Sequence, residues 1–408
     1  MTARYNVPGY LGSPQVARPG TLPAMAMARR LQPFGETVFA EITRMADDHN
    51  AIDLGQGYPN FDGPEFAKLA AVDAIEAGHG QYARSSGLLP LVTTLAANWT
   101  KRTGLAVDPI TEVTVTSGCT EALAATFLGL FDPGDEVVLI EPTYDAYVVD
   151  AALAGAVPRY VTLRPPAFAV DPDQIQGAIT SRTRAIVVNT PHNPIGRVYT
   201  HEELAGIAAL AIEHDLIVIA DEVYEHMVYD GAHISIATLP GMWERTITLS
   251  SFGKTFSLTG WKIGWAIAPE HLTAGIRAAH QYIAFASATP LQHGVMVALQ
   301  AGPEYYEALE RAYRERRDLL AAGLTAVGFE VFVPEGTYFL LADHTPFGFA
   351  DDVAFVRHLI RDAGVAAIPP SAFYHRKVDG ATFVRFAFCK DLDTLALALD
   401  RLSALPAP

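Results

Sequence analysis

Between Val113 and Ala268 the chain alternates short, almost wholly apolar runs with stretches of helical periodicity, and this restricts its fold more than any other feature. Strands buried on both faces read as continuous apolar runs, and parallel neighbours need a crossover of a dozen or more residues between them. Runs at Val113–Thr116, Val137–Ile140, Arg159–Leu163, Ala185–Asn189, Ile217–Ala220, Thr246–Leu249 and Ile263–Ala268 therefore predict a largely parallel α/β layer structure. Thr200 followed by Glu203 spells a capping box for a helix to about His214, and Asp132-Pro133-Gly134-Asp135 spells a turn. After Pro303 the pattern changes. A long charged amphipathic helix to about Val327 is followed by short runs at Glu330–Val333, Tyr338–Ala342, Ala366–Ile368 and Val384–Ala387 and by two further helices, which predicts a smaller α+β lobe. Residues 1 to about 23 carry Pro8, Gly9, Gly12, Pro14, Pro19, Gly20 and Pro23 without hydrophobic periodicity and predict an extended arm.

Composition removes several classes of function. Half of the 408 residues are hydrophobic and 18% are charged, the profile of a chain with a large core rather than a disordered one. Lys plus Arg number 29 against 45 for Asp plus Glu, and a net charge of −16 opposes a grip on nucleic acid or an anionic membrane. Cys119 and Cys389 are too few for a disulfide framework and lack metal-ligand spacing, so no metal is expected. The first residues hold no apolar leader and the long apolar stretches are broken by charge, so the cytoplasm is the expected location.

The segment Ser250-Ser251-Phe252-Gly253-Lys254-Thr255-Phe256-Ser257-Leu258-Thr259-Gly260-Trp261-Lys262 carries the most chemistry. Its Gly253-Lys254-Thr255 matches the end of a phosphate-binding P-loop, but that motif needs a glycine at 248, where this chain has Thr. What remains is a lysine in a turn after a strand, among aromatic residues whose desolvation lowers its pKa toward a nucleophilic amine; alone, such a lysine is ordinarily a surface charge. Asp221 ends an apolar strand with Tyr224 three residues on, and an acid there needs a cationic partner, although a turn-capping Asp explains the pattern equally well. Asn189-Thr190-Pro191-His192-Asn193-Pro194 is a proline-stiffened loop at another strand end. Ser117-Gly118-Cys119-Thr120 follows a strand and opens a helix, where backbone N–H groups can bind a phosphate.

As an ordered series these segments resemble the pyridoxal-phosphate (PLP) aminotransferases of fold type I, class I/II, from about Leu31 onward. The resemblance implies a large PLP-binding domain over 61–302 with a mostly parallel seven-stranded sheet between helices, a small domain from 31–60 and 303–408, and an N-terminal arm over 1–30. It implies that Lys254 bonds to the cofactor, that Asp221 pairs with the ring nitrogen, and that Tyr224 and Asn193 reach the ring oxygen. Ser251, Lys262 and the backbone from Gly118 to Thr120, including Cys119, would hold the phosphate, and Tyr144 would stack on the ring. Arg385, in Phe383-Val384-Arg385-Phe386, would take the substrate α-carboxylate with Gly57, in Leu54-Gly55-Gln56-Gly57, and with Asn193. Tyr82 would reach the phosphate of a second subunit, implying a homodimer with shared sites.

The spelling is closest to the kynurenine/glutamine/methionine branch and to actinobacterial N-succinyldiaminopimelate aminotransferases. It departs at Thr120 and Thr143, where an aromatic residue is common, and Arg84 beside Tyr82 is a candidate for binding a distal acid. The expected reaction moves an amino group from an L-α-amino acid to a 2-oxo acid by a ping-pong route, with Lys254, Asp221 and Tyr224 as catalytic residues. A cysteine-conjugate β-lyase and a non-catalytic PLP-binding protein are the alternatives.

Overall fold

A computed structural model describes residues 27–35 and 37–405, so most of the arm expected over 1–30 lies outside the described residues. Among the described residues, strands occur in chain order as β1 (Ile52–Asp53), β2 (Val113–Thr116), β3 (Glu136–Glu141), β4 (Val157–Thr162), β5 (Thr183–Asn189), β6 (Ile217–Asp221), β7 (Thr246–Ser251), β8 (Gly264–Ile267), β9 (Glu330–Phe332), β10 (Phe339–Asp343), β11 (Val365–Ala366) and β12 (Phe383–Ala387). All seven strands expected between 113 and 268 form one sheet in the order β2-β8-β7-β6-β5-β3-β4. Its centre is parallel, whereas β8 runs antiparallel to both β7 and β2. Apolar residues on both faces of the sheet are buried under helices, which explains why the inner strands read as unbroken apolar runs. β4 lies at an edge, where Pro158 removes no ladder bond that an inner strand would need.

The helix ends follow their sequence signals. Thr200 Oγ1 accepts from the Glu203 N–H at 3.2 Å and Glu203 Oε2 from the Thr200 N–H at 2.8 Å, completing the capping box of helix His201–Glu213. Helix Pro303–Val327 ends at Gly328, whose φ of 114° only glycine adopts readily.

The remaining strands build a smaller α+β layer: β12-β10-β9 is antiparallel, and β1 pairs in parallel with β11. Two expectations are corrected in extent. The run at Ile263–Ala268 is paired only over Gly264–Ile267, because Lys262 takes a left-handed φ of 52° just before it. The run at Ala366–Ile368 is the two-residue β11, with Ile368 bridging to Arg385 outside it. β1 has no sequence signal, since two residues are too few to show a period.

One topological fact places the site. Asn189 and Asp221 stand opposite each other at the carboxyl ends of β5 and β6, with the end of β7 alongside. Ligands of open α/β sheets bind at such strand ends.

Candidate active site

Twelve of the thirteen residues assigned to the cofactor, the α-carboxylate or catalysis line one cavity of about 320 Å³: Gly57, Gly118, Cys119, Thr120, Tyr144, Asn193, Asp221, Tyr224, Ser251, Lys254, Lys262 and Arg385. The exception is Tyr82, which is 85% exposed and meets only the edge of the Phe285 ring among described aromatic neighbours. Arg84 is likewise exposed and does not line the cavity.

Lys254 stands on the single turn Phe252–Thr255 that directly follows β7. Ser251 caps this turn by accepting from the Gly253 N–H at 3.1 Å. A Cβ on Gly253 would lie 2.9 Å from the Thr259 backbone, so only glycine lets the turn pack so closely. The Lys254 Nζ donates to the Gly57 carbonyl at 3.4 Å and lies 5.5 Å from the Tyr338 ring centre. Desolvation lowers this amine to about 8 against the pull of Cys389 and Asp221, with Lys262 pushing the same way as desolvation.

Helix Gly118–Leu130 opens into the same cavity with Gly118 at a φ of 77°. Lys262 donates to Thr120 Oγ1 at 3.3 Å across this helix start. A Cβ on Gly264 would sit 2.6 Å from the Cys119 nitrogen, so β8 approaches the helix start as closely as backbone allows. The N–H groups of the helix start, the helix dipole and the Lys262 ammonium suit an anion, and Ser251, whose hydroxyl donates to the Ile263 carbonyl at 3.3 Å, lines the same cavity.

Asp221 is 4% exposed, and burial raises its carboxyl above the ordinary carboxylate range. Tyr147, Val223 and Cys119 pull it back by donating to it, assisted by the charge of Lys254. Tyr224 is buried edge-on to Tyr338, whose hydroxyl donates to the Gly57 carbonyl at 2.5 Å.

Arg385, on β12, is 1% exposed. Its Nη2 donates to the Gly55 carbonyl at 2.7 Å and its Nη1 to Asn193 Oδ1 at 3.2 Å. The Phe339 ring centre lies 4.1 Å from the guanidinium carbon, with Phe373 and Phe39 at 5.0 and 5.4 Å. Desolvation lowers it to about 10, still a cation at neutral pH. Its Nε has no hydrogen-bond partner among the described residues, and a buried N–H on a cation calls for an anionic acceptor. Asn193 is itself held, its N–H donating to Asn189 Oδ1 at 2.8 Å, while Asn189 Nδ2 donates to the Asp221 carbonyl at 2.9 Å. The side chains therefore connect Arg385 to the Asp221 backbone through two asparagines.

The cavity holds what PLP requires: an amine to bond its aldehyde, an acid for its ring nitrogen and a helix start suited to its phosphate. Sequence reading missed Tyr147, Tyr338, Phe39 and Phe339, all of which line the cavity or touch its groups. Each looks like an ordinary apolar position of its element, so nothing local marks it. It also passed over Asn189, which was in view as the start of the loop.

Residues 49–402 match the family model described as aminotransferase class I and II. The probable N-succinyldiaminopimelate aminotransferase of Mycobacterium tuberculosis is 48% identical, the match covering 92% of this chain and 98% of the relative. A kynurenine–oxoglutarate transaminase of Dictyostelium discoideum is 39% identical over 93% of this chain and 96% of its own. The solved structure of N-succinyldiaminopimelate aminotransferase from Mycobacterium tuberculosis superposes with a TM-score of 0.91, covering 93% of this chain and 100% of that one, at 48% identity. With Lys254, Asp221 and Arg385 gathered in one cavity of this fold, the chain belongs to the class I and II aminotransferases, enzymes that transfer amino groups with pyridoxal phosphate.

Proposed function

We propose that this enzyme takes the amino group of an L-α-amino acid with an apolar or uncharged side chain and passes it to a 2-oxo acid in two half-reactions at one site. The observation that carries this reading is the buried Arg385, with its unpartnered Nε, in the same cavity as the Lys254 amine. A planar cationic fork suits an α-carboxylate, and holding that carboxylate orients the α-carbon of every donor in the same way. The walls beside it are Phe39, Phe339 and Tyr144, and the described lining offers no cation besides Lys254, Lys262 and Arg385. Such walls favour donors of the methionine, glutamine or kynurenine type. A second reading, an N-succinyldiaminopimelate-type donor, is supported by the 48% identity to the mycobacterial relative and would need a further cation, for which Arg84 of a second subunit is the candidate.

Bound PLP supplies the aldehyde that receives the amino group and the ring that spreads the negative charge left at the donor's α-carbon. The residues assigned to hold it are Lys254 at the aldehyde, Asp221 at the ring nitrogen, and Tyr224 and Asn193 at the ring oxygen. Tyr144 would pack on the ring face, and Ser251, Lys262 and the backbone of Gly118, Cys119 and Thr120 would take the phosphate. Once the donor's amine has taken its place at the aldehyde, the freed Lys254 Nζ, its affinity for protons lowered by burial, would take up the α-hydrogen as base and then return the proton as acid. Arg385, Asn193 and the Gly57 backbone keep the donor's carboxylate end in place during that transfer. The large unit spans 61–302, and the small one 31–60 with 303–408.

The working unit is a homodimer in the cytoplasm, in which Tyr82 serves the partner's phosphate. Its 85% exposure, against the 46% exposed Phe285 ring that it touches, supports a second copy as the cover. A donor panel with excess pyruvate or 2-oxoglutarate, read as the new amino acid formed, tests the whole reading. Ammonia released without a 2-oxo acid co-substrate would replace it with β-elimination.

A further inference from the structure

Tyr147 has no part in the assignments above, yet its hydroxyl donates to Asp221 Oδ2 at 2.6 Å, the shortest side-chain contact that Asp221 makes. It lies one turn along helix Asp145–Ala154 from Tyr144, is 2% exposed, and packs edge-on against Tyr144 at 5.7 Å. Its position is therefore set by core packing rather than by solvent. On the other side, the thiol of Cys119, in the first turn of helix Gly118–Leu130, lies 3.8 Å from Asp221 Oδ1, which also accepts from the Val223 N–H at 3.3 Å.

A carboxylate oxygen accepts about two hydrogen bonds in comfort. Val223 and Cys119 fill Oδ1, whereas Oδ2 takes only Tyr147 among the described residues, which leaves one acceptor position on Oδ2 for a donor in the cavity. Burial keeps the Tyr147 hydroxyl and the Cys119 thiol protonated, so both remain donors over the working pH range. A buried carboxylate without such donors would take up a proton and could no longer oppose a cation.

We propose that Tyr147, assisted by Cys119, is a positioning residue for the reaction: the two donors hold the Asp221 carboxylate in its ionised form with one acceptor position of Oδ2 left open for the ring nitrogen the cofactor would bring. This rests on the assignment of Asp221 to that nitrogen. The two elements carrying the donors, helices Asp145–Ala154 and Gly118–Leu130, pack on each other, so Asp221 is gripped from one rigid unit.

The test compares Tyr147→Phe, Cys119→Ala, Cys119→Ser and Asp221→Asn, alone and with Tyr147→Phe combined with Asp221→Asn, as PLP-loaded enzyme. Three quantities are read: the dissociation constant for PLP, the pH titration of the cofactor's visible absorption band, and kcat and KM separately. Losing a hydrogen bond to a buried charged group corresponds to roughly a 10- to 100-fold effect. Tyr147→Phe should therefore lower kcat by about that factor with little change in KM, weaken PLP binding, and move the band's titration. Cys119→Ala should act in the same direction by only a few-fold, since S–H is a weak donor, and Cys119→Ser should lose less than Cys119→Ala. In the Asp221→Asn background, Tyr147→Phe should add little further change to the titration, because its effect passes through Asp221. The proposal is overturned if Tyr147→Phe leaves all three readouts as in the parent, or shifts the titration as much in the Asp221→Asn background as in the parent enzyme. If Asp221→Asn itself leaves PLP affinity, titration and turnover intact, the underlying assignment of Asp221 fails instead.

Discussion

Replacing Arg385 by lysine is the sharpest perturbation of the proposed substrate site. The guanidinium uses Nη2 on the Gly55 carbonyl and Nη1 on Asn193 Oδ1, leaves Nε without a partner among the described residues, and has its carbon 4.1 Å from the Phe339 ring centre. A lysine retains the charge but offers a compact ammonium that cannot serve these acceptors and a carboxylate in one plane. Losing one charge-assisted contact to the substrate removes about 1.5–3 kcal/mol, whereas leaving one buried acceptor without its donor costs about 1–3 kcal/mol of folding stability, a loss common to free and substrate-bound enzyme. The first loss predicts that kcat/KM falls roughly 10- to 10²-fold, and the second that Tm falls as well. The loss should be alike for every α-amino acid donor, because the carboxylate is the part they share. Initial rates over a panel of apolar, polar and acidic donors measure it, with circular dichroism and Tm confirming that the variant folds. A loss below about tenfold, or one confined to a single side-chain class, would refute the assignment of Arg385 to the α-carboxylate.

Three further outcomes are expected. Borohydride should fix the cofactor covalently on Lys254, and capture of PLP by the cofactor-free enzyme should quicken as pH rises and level off near 8, where this amine loses its proton; a rise continuing to the range of an ordinary lysine would show that it is not desolvated. Refolding Lys254→Ala together with Tyr82→Ala should restore activity above the mean of the two parents, since a mixed dimer holds one site with both groups; no recovery in tag-purified mixed dimers removes Tyr82 from the partner's site. Glu136, fully buried with Arg159 at 3.0 Å and Arg182 at 2.6 Å, is lowered to about 2, first through its bond from Arg159. A depressed carboxylate stabilises the fold fully above its unfolded pKa and loses this as pH falls through its folded pKa, so Glu136→Gln should lower the urea midpoint most at neutral pH and by a shrinking amount as pH falls from about 4 toward 2. A loss that stays constant over this range would place the effect in packing instead.

The chain's local signals sufficed for most of the fold. Strands buried on both faces must be apolar along their length, as β6 is from Ile217 to Ala220 before it ends at Asp221, and the Thr200–Glu203 box and Gly328 satisfy helix ends with residues adjacent in sequence. The chemical groups were legible for a related reason: Lys254, Asp221 and Asn193 each follow the end of a strand or terminate one, and turn chemistry is local. Arg385 was legible only through its resemblance to a known segment, because an arginine on a strand carries no signal of its own. What the tertiary structure alone decided are relations between distant segments. The sheet order, the reversed direction of β8 and the pairing of β1 with β11 depend on which apolar faces meet, and apolar faces are not specific for one another in sequence. The same holds for the contacts of Tyr147 with Asp221, of Tyr338 with Gly57, and of Phe39 and Phe339 with Arg385. Each of these aromatic residues satisfies the hydrophobic pattern of its own element, and its polar or cation-facing side acquires a partner only when the chain folds.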